Sequence, residues 1–300
     1  MSYLGIDVGG TKVALRLEPA GAEGAGEKRE TVFRWPDAGG VDADMEVLAA
    51  AVAALRPAGA GPVAAVGVAV PATLDTEGRV RGWPNRPFWQ GLDLRRRLTA
   101  LLPGAEVRTA DDGDLAALAE ADAAHCRDLV HFGVGTGIGG GIVLDGRICP
   151  GTARGSCEVG HLIVDRAGER CDCGRRGCVQ SVASGRAVLR RAGERLGRTV
   201  DFAELRTAWL AAEPWAVGTV NDSAEALAAA AVGLTELVHP RLVTVGGGFA
   251  AGLPGYVEAV ARHAGELARA AGPETRVRPA ALGGLSSLDG AVLLARGEPR

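Results

Sequence analysis

The chain has 300 residues, 47% hydrophobic and 4% aromatic, enough apolar side chains for one large core or two moderate ones. Its 33 basic and 36 acidic residues leave a net charge of −3, and the basic residues are nearly all arginines scattered through alanine-rich stretches, which excludes the basic patch that a nucleic-acid partner requires. No apolar run approaches membrane-spanning length, and "MSYLGIDVGG" runs straight into a strand without a charged and apolar leader, so a cytoplasmic protein with no membrane partner is expected. In that compartment clustered cysteines bind metal more often than they pair.

The predicted elements begin with "YLGIDVGGTKVALRLE" and "ETVFRW", strands around glycine-rich turns, with "AGAEGAGEK" as a hairpin loop. A helix over about Asp42–Leu55 and a buried strand "AAVGVAVPA" follow, so strands and helices alternate. After "AEVRTADDGD" the helical "DLAALAEADAAHC" leads into a second glycine-rich hairpin, "LVHFGVGTGIGGGIVLDG". Helices then dominate as far as "HPRLVTVGGGFAAG", a strand opening into a glycine turn and a further helix. The layout predicts two α/β lobes, each opened by a glycine-turned hairpin, an arrangement consistent with an ancient duplication.

In "GIDVGGTK", Asp7 ends an apolar strand and Gly9, Gly10, Thr11 and Lys12 form the turn. Bare backbone amides there can approach an anion, and Asp7 can hold a metal through water; an ordinary hairpin turn with an acidic neighbour reads the same way. "GVGTGIGGGI" contains a GxGxxG match at Gly135, Gly137 and Gly140, yet "GIVLDGRI" continues as a strand where a dinucleotide site needs a helix. Its turn, with Thr136, suits the phosphates of a nucleotide. "VTVGGGF" adds Gly246, Gly247 and Gly248 at a third strand end, and three such turns after apolar strands point to a nucleotide cleft.

Cys171, Cys173 and Cys178 fall within eight residues, "CDCGRRGC", and His161 lies ten residues upstream, completing a Cys3His tetrahedron for Zn²⁺. Four protein ligands leave no open position, so this metal is structural; a redox pair and incidental buried thiols are the alternatives. Cys126, Cys149 and Cys157 lack ligand spacing and are expected as core thiols. Glu158 precedes His161 by three residues, which places both on one face of a short helix. In "TADDGDLAALAE", Asp111 and Asp112 precede a helix whose N-terminus favours carboxylates, and Asp114 can cap it. All three suit a capped, solvated turn, but within a phosphate-binding cleft a carboxylate at a helix start is placed as a general base for a hydroxyl that attacks a phosphoryl group.

Taken together, "DVGGTK", "PATLDTEGRV", "PNRPFW", "DDGDLAALAE", "GVGTGIGGGI", "GSCEVGHL", "CDCGRRGCVQS", "VTVGGG" and "LDGAVLLARG" resemble, in order and over nearly the whole chain, the sugar kinases of the ROK (repressor, open reading frame, kinase) family. The resemblance implies a two-lobed, actin-like (ribonuclease H-like) α/β ATPase fold with nucleotide and sugar in the interlobe cleft. The first lobe is expected over 1–112 plus about 286–300, and the second, with the zinc loop, over 113–285. It further implies that Asp112 takes the proton of a sugar 6-hydroxyl, that Glu158 and His161 contact ring hydroxyls, and that Asn85 and Gln180 lie on the substrate side. Gly9, Gly10, Thr11, Lys12, Gly135, Thr136, Gly137, Gly247 and Gly248 would line ATP, whose Mg²⁺ Asp7 would hold, and a homodimer is expected.

Four positions depart from the family pattern: Asp111 stands for Asn, Gln180 for Glu, Ala72 for Gly and Cys157 for Gly. An Asp at 111 removes two N–H donors and adds a carboxylate beside Asp112, an arrangement that a cation on the substrate relieves. The expected acceptor is therefore an amino sugar, with 3-amino-3-deoxyglucose (kanosamine) leading; glucose or a C7-cyclitol is the alternative. The family also includes sugar-responsive repressors with an N-terminal helix-turn-helix; with the first hairpin starting at about Tyr3, an enzyme and not a repressor is expected.

Overall fold

The computed structural model of the chain describes residues 1–20, 27–37, 39–57, 59–83 and 85–297, so most of the predicted "AGAEGAGEK" loop lies outside the described residues. The chain divides into two compact units, Met1–Ala119 with Arg147–Ser156 and Leu285–Arg300, and Glu120–Gly146 with Cys157–Gly284. The division falls after Ala119, beyond the expected boundary at Asp112, and assigns Arg147–Ser156 to the first unit, which no composition change in the sequence signals.

In the first unit β1 (Ser2–Val8), β2 (Lys12–Pro19) and β3 (Arg29–Arg34) form an antiparallel meander, after which α1 (Val41–Leu55) crosses to β4 (Val63–Ala69). A two-stranded ribbon of β5 (Thr73–Leu74) and β6 (Val80–Gly82) and a helix α2 (Leu94–Leu101) precede β7 (Glu106–Ala110). The sheet order is β3-β2-β1-β4-β7, with β1, β4 and β7 parallel. The near-continuous apolar character of β1 and β4 follows from this central position, where both faces are covered. α1 buries Asp44, Leu48, Val52 and Leu55, a stripe at helical spacing in which the first position is a carboxylate. After β7 comes α3 (Asp112–Ala123).

The second unit repeats the plan. A hairpin of β8 (Leu129–Val134) and β9 (Ile138–Leu144) is antiparallel, and β8 pairs in parallel with a later strand on its other side, as β1 does with β4. The short β10 (Arg147–Cys149) falls in the segment grouped with the first unit. Helices α4 (Gln180–Ala183), α5 (Gly185–Leu196), α6 (Phe202–Leu210) and α7 (Pro214–Val238) lead to β11 (Leu242–Gly246), then α8 (Gly248–Gly252), α9 (Tyr256–Leu267) and β12 (Val277–Pro279). β11 lies between β8 and β12, parallel to both. The chain closes in the first unit with α10 (Ser286–Arg296), which packs on β1 and β4. Arg16, buried on β2, anchors it by pairing with Asp289 and also pairs with Glu30 of β3. Among the described residues no helix is long and apolar enough to cross a membrane.

Candidate active site and metal centre

The β1–β2 turn carries Gly9, Gly10, Thr11 and Lys12, with Thr11 and Lys12 exposed at its tip. Two interactions shape it: the Gly9 N–H donates to the Lys12 carbonyl at 2.9 Å, and the Trp35 indole N–H donates to the Gly9 carbonyl at 2.8 Å. Asn85 packs directly over Gly10. A Cβ at position 10 would lie 2.6 Å from Asn85 Nδ2 and 2.7 Å from its Cβ, so only glycine admits this approach. Two residues that the sequence assigns to different substrates therefore touch.

Asp7 stands at the end of β1 beside this turn. Burial, with the nearby Asp112 carboxylate adding to it and Lys12 opposing, pushes its pKa up from 3.8 to about 6. Because the folded carboxyl holds its proton longer than the unfolded one, stability falls as pH rises from about 4 to about 6, and above that the whole penalty is present. A rise of this size is equivalent to at most about 3 kcal/mol. Asp7→Asn is therefore expected to raise the Tm of the ligand-free protein at pH 7.5 and leave it nearly unchanged at pH 4, while impairing catalysis; equal Tm changes at both pH values would refute this account of the site.

At the start of α3, Asp111 Oδ1 accepts from the Gly113 N–H at 3.0 Å and its carbonyl accepts from the Leu115 N–H at 3.1 Å, so Asp111 caps the helix. Asp112 is the first residue of the helix and, like Asp111, half-buried, whereas Asp114 is only 2% exposed.

The β8–β9 turn is held from three directions. The Gly135 N–H donates to the Gly137 carbonyl at 2.9 Å, the Gly185 N–H donates to the Gly135 carbonyl at 2.8 Å, and Gln180 Oε1 accepts from the Ile138 N–H at 2.9 Å. Gln180, expected on the substrate side, thus places its carbonyl oxygen on the backbone of this hairpin. Thr136 is exposed at the tip. At the end of β11, Gly247 has φ +86°, and a Cβ there would lie 2.5 Å from the Val134 carbonyl oxygen, so the third glycine turn packs against the end of β8. Beneath both, His131 is fully buried, its Nδ1 3.0 Å from Thr244 Oγ1, and burial pushes its pKa down to about 4, so it is a neutral cross-strand spacer. Nothing in the sequence sets this histidine apart from an ordinary strand residue.

His161, Cys171, Cys173 and Cys178 converge as the spacing predicts, with one donor atom from each within 4.8 Å of the others. Cys171 Sγ lies 3.6 Å from His161 Nδ1, and Cys173 Sγ lies 3.6 Å from Cys178 Sγ. A tetrahedron with Zn–S bonds of about 2.3 Å and a Zn–N bond of about 2.0 Å has edges of about 3.5–3.8 Å, so the donor set fits that metal. Hydrogen bonds from Arg175 draw the Cys173 thiol down, while burial pushes the Cys178 thiol up, so the inner thiol keeps its proton until a cation compensates. The loop is closed by isolated bridges between Ile163 and Cys178 and between Arg170 and Arg176. His161 ends the 3₁₀ turn Val159–His161, and its N–H donates to the Glu158 carbonyl at 2.9 Å, which links the metal loop to Glu158. Cys126, Cys149 and Cys157, expected as core thiols, are only half-buried; the Cys126 thiol donates to the Asp128 carbonyl at 3.3 Å.

The family model of the ROK family matches residues 3–298. The chain belongs to the ROK family. Among ROK-family relatives, a kanosamine kinase of Amycolatopsis mediterranei is 52% identical over 293 residues, covering 98% of this chain and 95% of that protein. An N-acetyl-D-glucosamine kinase of Salmonella gallinarum is 29% identical over 97% of this chain and 98% of its own. Of solved structures, a ROK hexokinase from Thermus thermophilus has a TM-score of 0.87 at 32% identity, covering 98% of each chain. A ROK glucokinase from Streptomyces griseus, in complex with glucose and AMPPNP, has a TM-score of 0.73 at 26% identity over 99% of each chain. The fold is the two-lobed, actin-like ATPase fold of the ROK sugar kinases, in which the duplicated hairpin plan described above belongs.

Proposed function

We propose that this protein is an ATP-dependent kinase that phosphorylates the 6-hydroxyl of an amino sugar, with kanosamine the leading acceptor. The observation that carries this reading is the 52% identity, over nearly the full length of both chains, to a protein named as a kanosamine kinase. The carboxylates of the first unit support it: burial, with the Asp112 charge adding to it, raises the pKa of Asp7, and Asp111 stands beside Asp112 in the chain, so three carboxylates gather where a cationic acceptor would be favoured.

In this reading Asp112 accepts the proton of the 6-hydroxyl as that oxygen attacks the γ-phosphorus and the bond to the ADP oxygen breaks. Asp111 pairs with the C3 ammonium, and Asn85, Glu158 and His161 contact ring hydroxyls. The glycine turns at Gly9, Gly10, Gly135, Gly137, Gly247 and Gly248, with the hydroxyls of Thr11 and Thr136 and the ammonium of Lys12, line ATP. Asp7 would hold the Mg²⁺ of ATP, which would supply charge neutralisation at the phosphates. Zn²⁺ on His161, Cys171, Cys173 and Cys178 is structural, and the working form is a cytoplasmic homodimer.

The decisive measurement is ADP release with a panel of sugars. A higher kcat/KM for kanosamine than for glucose is expected, and no turnover of any sugar would refute the kinase reading. For the metal, freshly purified, reduced protein should contain one zinc per chain. Cys178→Ser should lose that zinc and lower Tm; protein that is active and zinc-free would refute the structural assignment.

A further inference from the structure

A buried ion pair in the first unit joins the turn assigned to ATP and the loop assigned to the sugar. Asp44 on α1 is 0% exposed, yet it occupies a position in the apolar stripe of that helix. Its two oxygens take three donors: Arg86 Nε at 2.8 Å, Arg86 Nη2 at 2.6 Å and Trp89 Nε1 at 2.7 Å. The Arg86 guanidinium also lies against two aromatic rings, with Cζ 5.0 Å from the Trp35 centroid and 4.9 Å from that of Phe88. Trp35, held against this guanidinium, donates its indole N–H to the Gly9 carbonyl, and its backbone N–H donates to the Thr11 carbonyl at 3.1 Å. Asn85 is the chain neighbour of Arg86, and its side chain rests on Gly10. The segment is wound tightly, with the Arg86 N–H donating to the Trp83 carbonyl and the Trp89 N–H donating to the Arg86 carbonyl, each at 3.0 Å.

A buried ion pair is a poor way to gain stability, since apolar side chains of the same volume usually do as well. What a bidentate guanidinium–carboxylate pair does supply is a fixed orientation. We infer that Asp44 and Arg86 are positioning residues that set the Gly9–Gly10 turn, through Trp35, and the Asn85 side chain, through the 85–86 backbone, against one common reference. The inference rests on the kinase reading for the identity of the two substrates. It extends that reading by making the first unit's contributions to ATP and to the acceptor mechanically dependent on one side-chain pair that touches neither.

The test separates position from stability. Trp35→Phe keeps the ring but deletes the bond to Gly9, and it should raise the KM for ATP more than that for the sugar. Arg86→Lys keeps the charge but loses the fork and the ring stacking, and it should raise the KM for the sugar more than that for ATP. The double variant Asp44→Leu/Arg86→Met replaces the pair with apolar volume. It should remain folded, with a Tm near that of wild type, while both KM values rise at least about tenfold. KM does not depend on the fraction of enzyme that is folded, so a merely structural role would lower Tm and apparent kcat and leave KM alone. All three variants keeping both KM values within about twofold of wild type would overturn the inference. Wild-type protein that turns over neither kanosamine nor glucose would instead overturn the kinase reading, and the functional meaning of the pair with it.

Discussion

Asp112→Asn is expected to lower kcat by about a hundred- to ten-thousandfold while leaving ATP affinity within about twofold. The substitution is nearly isosteric and keeps a polar side chain at the first position of α3, so the helix start survives while basicity is lost. It carries an internal control, because the Asp112 charge is one cause of the raised pKa of Asp7 and its removal should bring that pKa down. A variant with the Asp7 titration shifted but more than a tenth of wild-type kcat would show that Asp112 stands near the reaction without acting as its base. Loss of both turnover and ATP binding would show that the effect lies in the fold.

The second large effect is expected on the choice of acceptor. A charge-assisted hydrogen bond between a carboxylate and an ammonium contributes about 1.5–3 kcal/mol, so Asp111→Asn should lower the ratio of kcat/KM for kanosamine to that for glucose by about ten- to a hundredfold. The local structure makes this a clean experiment. Asp111 Oδ1 caps α3 by accepting from the Gly113 N–H, and the carbonyl oxygen of asparagine caps equally well, so Tm should hardly move. An unchanged ratio, or a wild-type preference for glucose, would remove Asp111 from amine recognition and leave it as a helix cap.

The sequence carried the glycine turns openly, because a run of glycines after an apolar strand has few other uses, and both hairpins stand where "DVGGTK" and "GVGTGIGG" place them. The convergence of His161 with the three cysteines was equally legible, since the four side chains come from one short loop and a histidine ten residues away. The positioning pair was not. Asp44 and Arg86 are 42 residues apart, and each alone reads as a solvated charge, one on a helix and one in a loop. Nor did the sequence show that Gln180 holds the β8–β9 hairpin, because the bond to Ile138 spans the whole metal loop. β7 and β12 escaped notice for another reason: both are short and carry arginine, so neither has the apolar run that reveals a buried strand.

The packing of Asn85 over Gly10 also bears on how this turn can change over generations. Since the clash from a Cβ at position 10 would involve the Asn85 Cβ as well as its amide, rotating the side chain cannot relieve it. The two positions trade volume. A larger residue at 10 is accessible only after 85 has become glycine, and glycine at 85 alone uncovers the turn to solvent. In a mutational landscape this is sign epistasis, with each single step downhill and the pair of steps level. Libraries that randomise Asn85 against a fixed glycine therefore sample only part of the available shapes of this turn, and varying 10 and 85 as one unit opens the rest.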